Sequence, residues 1–554
     1  MNNACPLSLR SIAGVLGVCA LLVLAGCDQT VPPESLHETM RETAREPAAE
    51  QLAQAPRITF TQRDVIGSGL AQDAAKNSAQ KTASAAQAAK PEHEPLFVDW
   101  PRPQMALVLT GQQMGYIEPC GCTGLANQKG GLARRHTFIK QLAAKGWPLV
   151  SLDVGNQVRR FGRQAEIKFQ MAVAGLKQIG YSGITFGPDD LRLSIGELVA
   201  ATVAEDPQDS PFLCANVAII DESLLSKFRV FKSGGKTIGV TAVLGDEERK
   251  AIRSDEIIHT PVEDALKALW PAMKAAKCDV YVLLAHASLE ETTIIAQKFP
   301  VFDIVVTAGG GGEPTFQPEK IPHTKSLMVQ VGTKGMYAGV IGVYDDPAKR
   351  FRYQRVPLDD RFTDSQDMLD LMASYQDQLR EAGLEGLGLK PLAHPSGHTF
   401  VGSKACADCH STAYAIWEKT PHAHATDSLV HPGERSDIPR HHDPECLSCH
   451  VTGWNAQKYF PYLSGYEDLE RSLSMHGSGC ENCHGPGSAH VAVESGDLDA
   501  TPAQRQKLME GMRLPLAEAE RRCMECHDHD NSPDFHVRGA FEKYWEKVKH
   551  EGKD

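Results

Sequence analysis

The sequence predicts a layered α/β domain followed by a mostly α-helical domain that cannot build a core from its own side chains. Three observations carry this. Short apolar bursts alternate with helix-like segments over residues 92-360, the pattern of strands buried on both faces. That alternation stops near His398, and large apolar side chains become sparse. Cysteine and histidine concentrate there instead: eight of 15 cysteines and 15 of 22 histidines lie from His398 onward.

Taken in chain order, residues 1-27 read as an export signal. Arg10 supplies a positive flank, Ser11 to Ala25 is mostly apolar, and the segment ends Leu24-Ala25-Gly26-Cys27. That ending resembles the lipobox of bacterial lipoproteins, in which the cysteine is lipidated. The resemblance implies lipidation at Cys27 and an exported, lipid-anchored protein at the cell membrane, facing the periplasm or the cell surface. Uncleaved anchoring and plain secretion are the alternatives. Residues 28-91 are rich in Ala, Gln, Glu, Thr and Ser and read as a flexible linker.

Strands are expected at Met105 to Leu109, Pro148 to Leu152, Gly183 to Phe186, Phe212 to Ala215, Thr237 to Thr241, Val280 to Leu284, Asp303 to Val306 and Ser326 to Gln330. Helices are expected at Ala133 to Lys145, Ile167 to Ile179 and Pro261 to Ala276. Residues 361-397 read as a connecting helix, Asp364 to Leu384, and a Pro- and Gly-marked linker. The last domain spans 398-554.

Net charge is -13, which argues against general nucleic-acid binding, since that needs a basic face.

Within 398-554, Cys-x-x-Cys-His occurs four times, at Cys406/Cys409/His410, Cys446/Cys449/His450, Cys480/Cys483/His484 and Cys523/Cys526/His527. This is the attachment pattern of c-type haem. Two thioethers three positions apart match the haem vinyl groups along a helical turn, and the adjacent histidine reaches the iron. Structural zinc needs two such cysteine pairs or set histidine spacings, not a histidine after every pair. A disulfide scaffold does not need the histidine either. Four covalently bound haem c groups are therefore expected, and their large apolar faces replace the missing core. His410, His450, His484 and His527 are the expected proximal ligands. Eleven further histidines lie from His398 onward, a surplus that suits distal ligation.

The run Gly402-Ser403 to His410, Trp417 to His422, Asp443 to Gly453, Gly479 to His490, Ser532 to Phe535 and Tyr544 to His550 resembles the tetrahaem cytochrome c family of ammonia-oxidising bacteria. The resemblance implies a multihaem cytochrome c fold and distal ligation by His422, His490 and His550. His424, His441 and His476 are held in reserve.

The region from Met105 to Leu358 resembles the metallophosphoesterase domain of the 5'-nucleotidase family, which implies an α/β/β/α sandwich. Its metal positions are degenerate. Gln112 and Met114 stand where the family has Asp-x-His, Asn156 where it has a bridging aspartate, and Phe186 to Asp190, with Asp189, where it has Gly-Asn-His-Glu. Asn216 fits a strand-end asparagine, His286 is the one retained ligand, and Thr307 to Gly312 replaces Gly-His-x-His. A two-metal phosphoesterase needs a bridging carboxylate and several Asp and His ligands. Amides and thioethers do not replace them for hard cations.

Beside these positions lie Cys120 and Cys122, in Pro119-Cys-Gly-Cys-x-Gly124, ahead of Arg134 and Arg135. The two cysteines suit a structural disulfide or loop, a redox disulfide, or a soft-metal site, alone or with Cys214 or His286. The two arginines either attract an anion or face solvent.

The sequence thus points to an electron-transfer cytochrome of the cell envelope that delivers electrons to a Cys120/Cys122 site. The expected partners are redox proteins or quinol-linked donors, the membrane through a lipid anchor, and no nucleic acid. The alternatives are a hydrolase or reductase centred on the α/β domain, or that domain as a partner-docking module.

Overall fold

Alternation along the first strand explains the layering. In β1 (Met105–Thr110), Met105, Leu107 and Leu109 face one apolar layer while Ala106 and Val108 face another. A strand buried on both sides cannot sit at a surface, and each such leucine contributes about 2 kcal/mol by leaving water. The computed structural model that shows this describes residues 93–120, 127–433 and 436–551. The expected signal with Cys27, the 28-91 linker and Cys122 lie outside the described residues.

The first sheet also contains β2 (Leu149–Asp153) and β3 (Tyr181–Ile184). The second contains β4 (Phe228–Ser233), β5 (Lys236–Leu244), β6 (Val280–His286), β7 (Ile304–Thr307), β8 (Glu319–Lys320) and β9 (Leu327–Gln330). β10 (Tyr337–Val343) and β11 (Phe351–Pro357) return to the first sheet. Its order is β11-β10-β1-β2-β3, parallel from β1 to β3 and antiparallel at β10 and β11. The second sheet runs β8-β9-β7-β6-β5-β4, with four parallel central strands and antiparallel edges.

The sheets pack face to face through Leu107, Leu109, Val150 and Leu152 on one side and Ile238, Val240, Val282 and Val306 on the other. On the outer face of the first sheet lie α1 (Leu132–Ala144) and α2 (Arg163–Ile179). On the outer face of the second lie α3 (Val262–Ala275) and α4 (Leu289–Lys298). The result is the expected α/β/β/α sandwich. α2 ends at Gly180, whose φ of 94° is the left-handed cap that glycine adopts without a Cβ clash.

One expectation needs correction. Phe212 to Ala215 is not a ladder strand; it makes only isolated bridges, Ile184 to Phe212 and Leu213 to Ser226. The helix of the 361-397 segment, α5 (Gln366–Gly386), packs on the sandwich. Its Met368 joins the core under α1 and α2, and its Met372, Tyr375 and Leu379 pack with Ile167. Residues from Glu92 to Asp554 consequently pack as one unit.

The last domain is built of short helices, among them Ser403–Ala407, Ser411–Trp417, Pro444–His450, Cys480–His484, Ser488–Glu494, Leu516–Cys523 and Ala540–Val548. Its apolar cluster centres on Phe400, Leu429, Leu447, Val451, Trp454, Tyr466 and Met475. That is small for a segment of this length, as the composition suggested.

Candidate haem centre

Each Cys-x-x-Cys-His motif lies on or at the end of a short helix, where an i, i+3 spacing sets two thiols about one turn apart. The second motif shows how the sequence sets this up. Asp443 caps its helix by accepting from the Glu445 amide, and Pro444 occupies the first turn.

The histidines then meet across motifs. His410 faces His490 with ring centres 6.4 Å apart, His527 faces His422 at 5.9 Å, and His484 faces His550 at 5.7 Å. Two imidazoles on opposite sides of one metal, each about 2 Å from it, have ring centres roughly 6 Å apart. Each pair joins one histidine of a Cys-x-x-Cys-His motif to one of the three expected distal histidines. Sequence reasoning left open which distal residue serves which motif; the fold pairs His490 with the first, His550 with the third and His422 with the fourth.

Four of these rings are biased towards the neutral form. Burial lowers His422, His484 and His490, and pushes His527 down to about 4. A metal takes the neutral ring. Nδ1 of His484 lies 2.7 Å from the Met512 carbonyl, that of His527 2.9 Å from Ser532 Oγ, and that of His450 2.9 Å from the Ala425 carbonyl. Such bonds hold the ring and direct Nε2 elsewhere. His410 and His490 bury an Nδ1 that has no hydrogen-bond partner among the described residues.

The reserve histidines are placed otherwise. His424 is exposed, on a short 3-10 turn beside His422. The His441 ring lies tilted against that of His442, with ring centres 4.1 Å apart, and His476 Nε2 sits 3.2 Å from the Leu469 carbonyl, beside the Tyr466 ring.

Thiols of different motifs touch. The free thiols of Cys406 and Cys480 are hydrogen-bond neighbours, as are those of Cys449 and Cys526. Cys483 and Cys523 are electrostatic neighbours. The attachment points thus form a series: second motif, fourth, third, first. The paired imidazoles and clustered thiols fit haem c.

Cys409 differs from the other motif cysteines. Haem groups that fill the interior imply attachment cysteines inside the domain, and the other seven motif cysteines are at least half-buried. Cys409 is exposed. The reason is local: the helix Ser403–Ala407 buries only Ser403, and Cys409 lies two residues past its end, next to the exposed Asp408. The turn itself continues, since the Cys409 amide donates to the Cys406 carbonyl at 3.3 Å. The first motif therefore sits at the edge of the cluster, with one thiol inward at Cys480 and the other at the surface.

The degenerate positions of the sandwich gather at the strand ends, where they bond to each other. Asn156 Nδ2 donates to Gln112 Oε1 at 3.1 Å and to Asp189 Oδ2 at 3.3 Å, and Gln112 Nε2 donates to the Ala308 carbonyl at 3.1 Å. Gln112, Met114 and Asn156 all adopt positive φ, at 51°, 54° and 65°. His286 is buried with Nδ1 2.7 Å from the Val154 carbonyl, and desolvation lowers it to about 4. Asn216 ties both backbone groups of Leu244 at the end of β5. Cys214 is a free, buried thiol 3.4 Å from Asn216 Oδ1. One carboxylate, one imidazole and a set of amides do not fit two divalent cations.

Arg135 is neither an anion site nor a solvent-facing residue. It is fully buried, hydrogen-bonded to Gln113 and 3.8 Å from Asp153. Arg134 reaches the Gln128 carbonyl and lies 3.7 Å from Asp364.

Cys120 is disulfide-bonded, 1% exposed, and packs with Met336, Tyr337 and Tyr116. The segment 116–120 is held against the last domain. Arg440 pairs with Glu118, with Nε 3.0 Å from Oε2. Tyr116 OH donates to Asp530 Oδ2, and Asp530 also meets Lys334 and, at 3.5 Å, Arg159. Alongside, Glu445 takes Arg160 and Lys168, each at 2.8 Å. Burial alone would lower the Lys168 ammonium, but Glu445 and Asp443 hold it above its ordinary value. Sequence reasoning missed this face. Tyr116 and Asp530 are separated by 414 positions and form no motif.

Residues 405–485 match the family described as cytochrome c554 and c-prime. This part of the chain is similar to the cytochrome c554 family. Cytochrome c-554 of Nitrosomonas europaea is 29% identical over 154 residues, 24% of this chain and 60% of that protein. An apyrase of Aedes albopictus is 21% identical over 341 residues, 56% of this chain and 59% of that protein. The chain therefore spans about three fifths of the length of these two relatives. A 5'-nucleotidase of Bos taurus is 23% identical over 37% of this chain and 36% of its own length. Among solved structures, a 5'-nucleotidase precursor from Thermus thermophilus aligns with TM-score 0.42 at 17% identity, covering 59% of this chain and 66% of that one. The cytochrome c554-like part and the 5'-nucleotidase-like part are thus joined in one chain.

Proposed function

We propose that this chain is a multihaem electron-transfer protein of the cell envelope, with four haem c groups in its last domain. When bound, each haem iron supplies a one-electron Fe(III)/Fe(II) couple. The chain's own residues do the rest. The eight motif cysteines would anchor the groups, His410, His450, His484 and His527 would each hold the group of their own motif, and His490, His550 and His422 would be second holders for the first, third and fourth. Two imidazoles saturate an iron, so these three centres suit electron transfer rather than substrate binding. The adjoining thiols of successive motifs bring the attachment edges together, and the exposed Cys409 puts one edge of the first group at the surface, where a partner can reach it. The reading rests above all on the three cross-motif imidazole pairs. The lipobox-like ending at Cys27 supports attachment to a membrane, with redox proteins or quinol-linked donors as partners.

A second reading makes the α/β domain a docking module. The mutual bonding of Gln112, Asn156 and Asp189 favours it over a hydrolase, because those side chains are already satisfied.

Haemochrome quantification and low-temperature electron paramagnetic resonance of the mature protein test the main proposal. Four haems per chain are expected. His490→Ala is expected to convert one low-spin signal to high-spin while the haem count holds. Protein matured in cytochrome-competent cells with no haem, or an unchanged spectrum in the variant, overturns the assignment.

A further inference from the structure

We propose that the α/β domain sets the reduction potential of the second haem, through two cations, Arg160 and Lys168, that it places on Glu445 beside the attachment residue Cys446. This rests on the multihaem reading above and adds the regulation of one centre by the neighbouring domain.

The loop that carries the second motif is acidic. Asp443 and Glu445 lie within three residues of Cys446, and Asp528, next to the fourth motif, is an electrostatic neighbour of Cys449. Much of the offsetting charge comes from the sandwich. Lys168 on α2 meets Glu445 Oε2 at 2.8 Å, and Arg160, just ahead of α2, meets Oε1 of the same carboxylate at 2.8 Å. Arg159 acts on that carboxylate from farther away. Arg440 is a cation of the loop itself, and it pairs with Glu118 of the sandwich. Arg160 also lies over the Tyr459 ring, 3.7 Å from its centre, and both side chains are electrostatic neighbours of Cys449. Cys446 has Glu118 and Tyr375 of the sandwich side among its neighbours. The groups that act on Cys406, Cys483 and Cys526 lie in their own domain, Glu481, Arg522 and Glu525 among them. The second motif is thus distinguished by charges that the α/β domain supplies.

Reduction of Fe(III) to Fe(II) removes one positive charge, so a fixed cation nearby favours the reduced form and raises the potential. Burial decides whether such a charge counts. Lys168 is 7% exposed, and Arg160 is held between Glu445 and the Tyr459 ring, so salt screens them less than it screens a surface lysine. Burial works against the Lys168 ammonium, and Glu445 and Asp443 outweigh it, which keeps the charge in place. Neither side chain belongs to an attachment motif. Both are positioning residues that act on the haem held by Cys446 and Cys449 through charge.

Redox titration of the full mature holoprotein, followed by visible and electron paramagnetic resonance spectra, tests this. His490→Ala, His550→Ala and His422→Ala label the first, third and fourth haems by a change of spin state, and the second is the remaining component. Arg160→Met and Lys168→Met are each expected to lower the Fe(II)/Fe(III) ratio of that component about tenfold at a fixed potential, a midpoint shift of about 59 mV for a one-electron couple. Glu445→Gln is expected to raise the same midpoint. Arg160→Lys, which keeps the charge, is expected to stay near the wild-type value. A contact that is merely structural does not give shifts of opposite sign. Midpoints unmoved in the methionine variants overturn the proposal, as does a lowered midpoint in Glu445→Gln or a shift that falls on a labelled haem. Where Lys168→Met fails to fold, Arg160→Met and Glu445→Gln decide the matter by the same criteria. A wild-type preparation without haem absorbance instead indicts the multihaem reading, so the two failures are told apart.

Discussion

His286 shows how a residue that looks like a remnant of catalysis has become part of the packing. Its ring is 3% exposed and bonded to the Val154 carbonyl, and desolvation lowers its pKa from 6.5 to about 4. The unfolded chain therefore takes up the proton first as pH falls. Stability from neutral His286 is complete above pH 6.5 and is lost as pH drops towards 4, a contribution of about 3 kcal/mol between pH 7 and pH 4. Urea unfolding at those two pH values measures it. The wild-type protein is expected to lose about 3 kcal/mol more than His286→Gln, which keeps a donor for the carbonyl. Equal losses in the two proteins sink this account. Asp190 behaves in the opposite sense. Burial raises it to about 7 although it accepts from the amides of Asn156, Gln157, Val158 and Gly187. That term is common to both proteins and cancels in the comparison.

At the scale of elements, the helix α5 decides whether the two domains are beads on a string or one body. Its amphipathic pattern was legible: Met368, Met372, Tyr375 and Leu379 recur at helical spacing. What the pattern did not say was which surface it covers. In the fold Tyr375 is fully buried against α2, and its hydroxyl lies 3.3 Å from Asp443, the cap of the second haem-motif helix. Tyr375→Ala is expected to cost about 3–5 kcal/mol by denaturant unfolding, while Tyr375→Phe costs about 1 kcal/mol. A loss below about 1 kcal/mol for the alanine variant shows that the helix is not a packed element. Strands divide in the same way. Those with unbroken apolar runs, such as Val280 to Leu284, were legible. Phe351–Pro357 was not, because its half-exposed residues Arg352, Gln354 and Arg355 give no clear burst.

For the whole molecule the joint between domains is largely ionic, with most cations on the sandwich and one reversed pair, Arg440 to Glu118. Arg159, Arg160, Lys168 and Lys334 on the sandwich meet Glu445 and Asp530 on the cytochrome side. Partly buried pairs of this kind are costly to break one partner at a time, because the other charge remains desolvated. The double variant Glu445→Lys, Asp530→Lys is expected to drive the domains apart. Small-angle scattering reads this as a larger radius of gyration, with haem content unchanged. An unaltered radius shows that the apolar packing of α5 suffices alone.

The four Cys-x-x-Cys-His motifs, and the amides and methionine at the ends of the first strands, are properties of the sequence by itself, because each depends on residue types within a few positions of one another. The layered domain was likewise written in local periodicity. The pairing of His490, His550 and His422 with particular motifs came only from the tertiary structure. So did the exposure of Cys409, the burial of Arg135 and the grip of Asp530 on Tyr116. These depend on side chains tens to hundreds of positions apart, and no local rule of spacing or propensity specifies which distant groups a folded chain brings within a few ångströms.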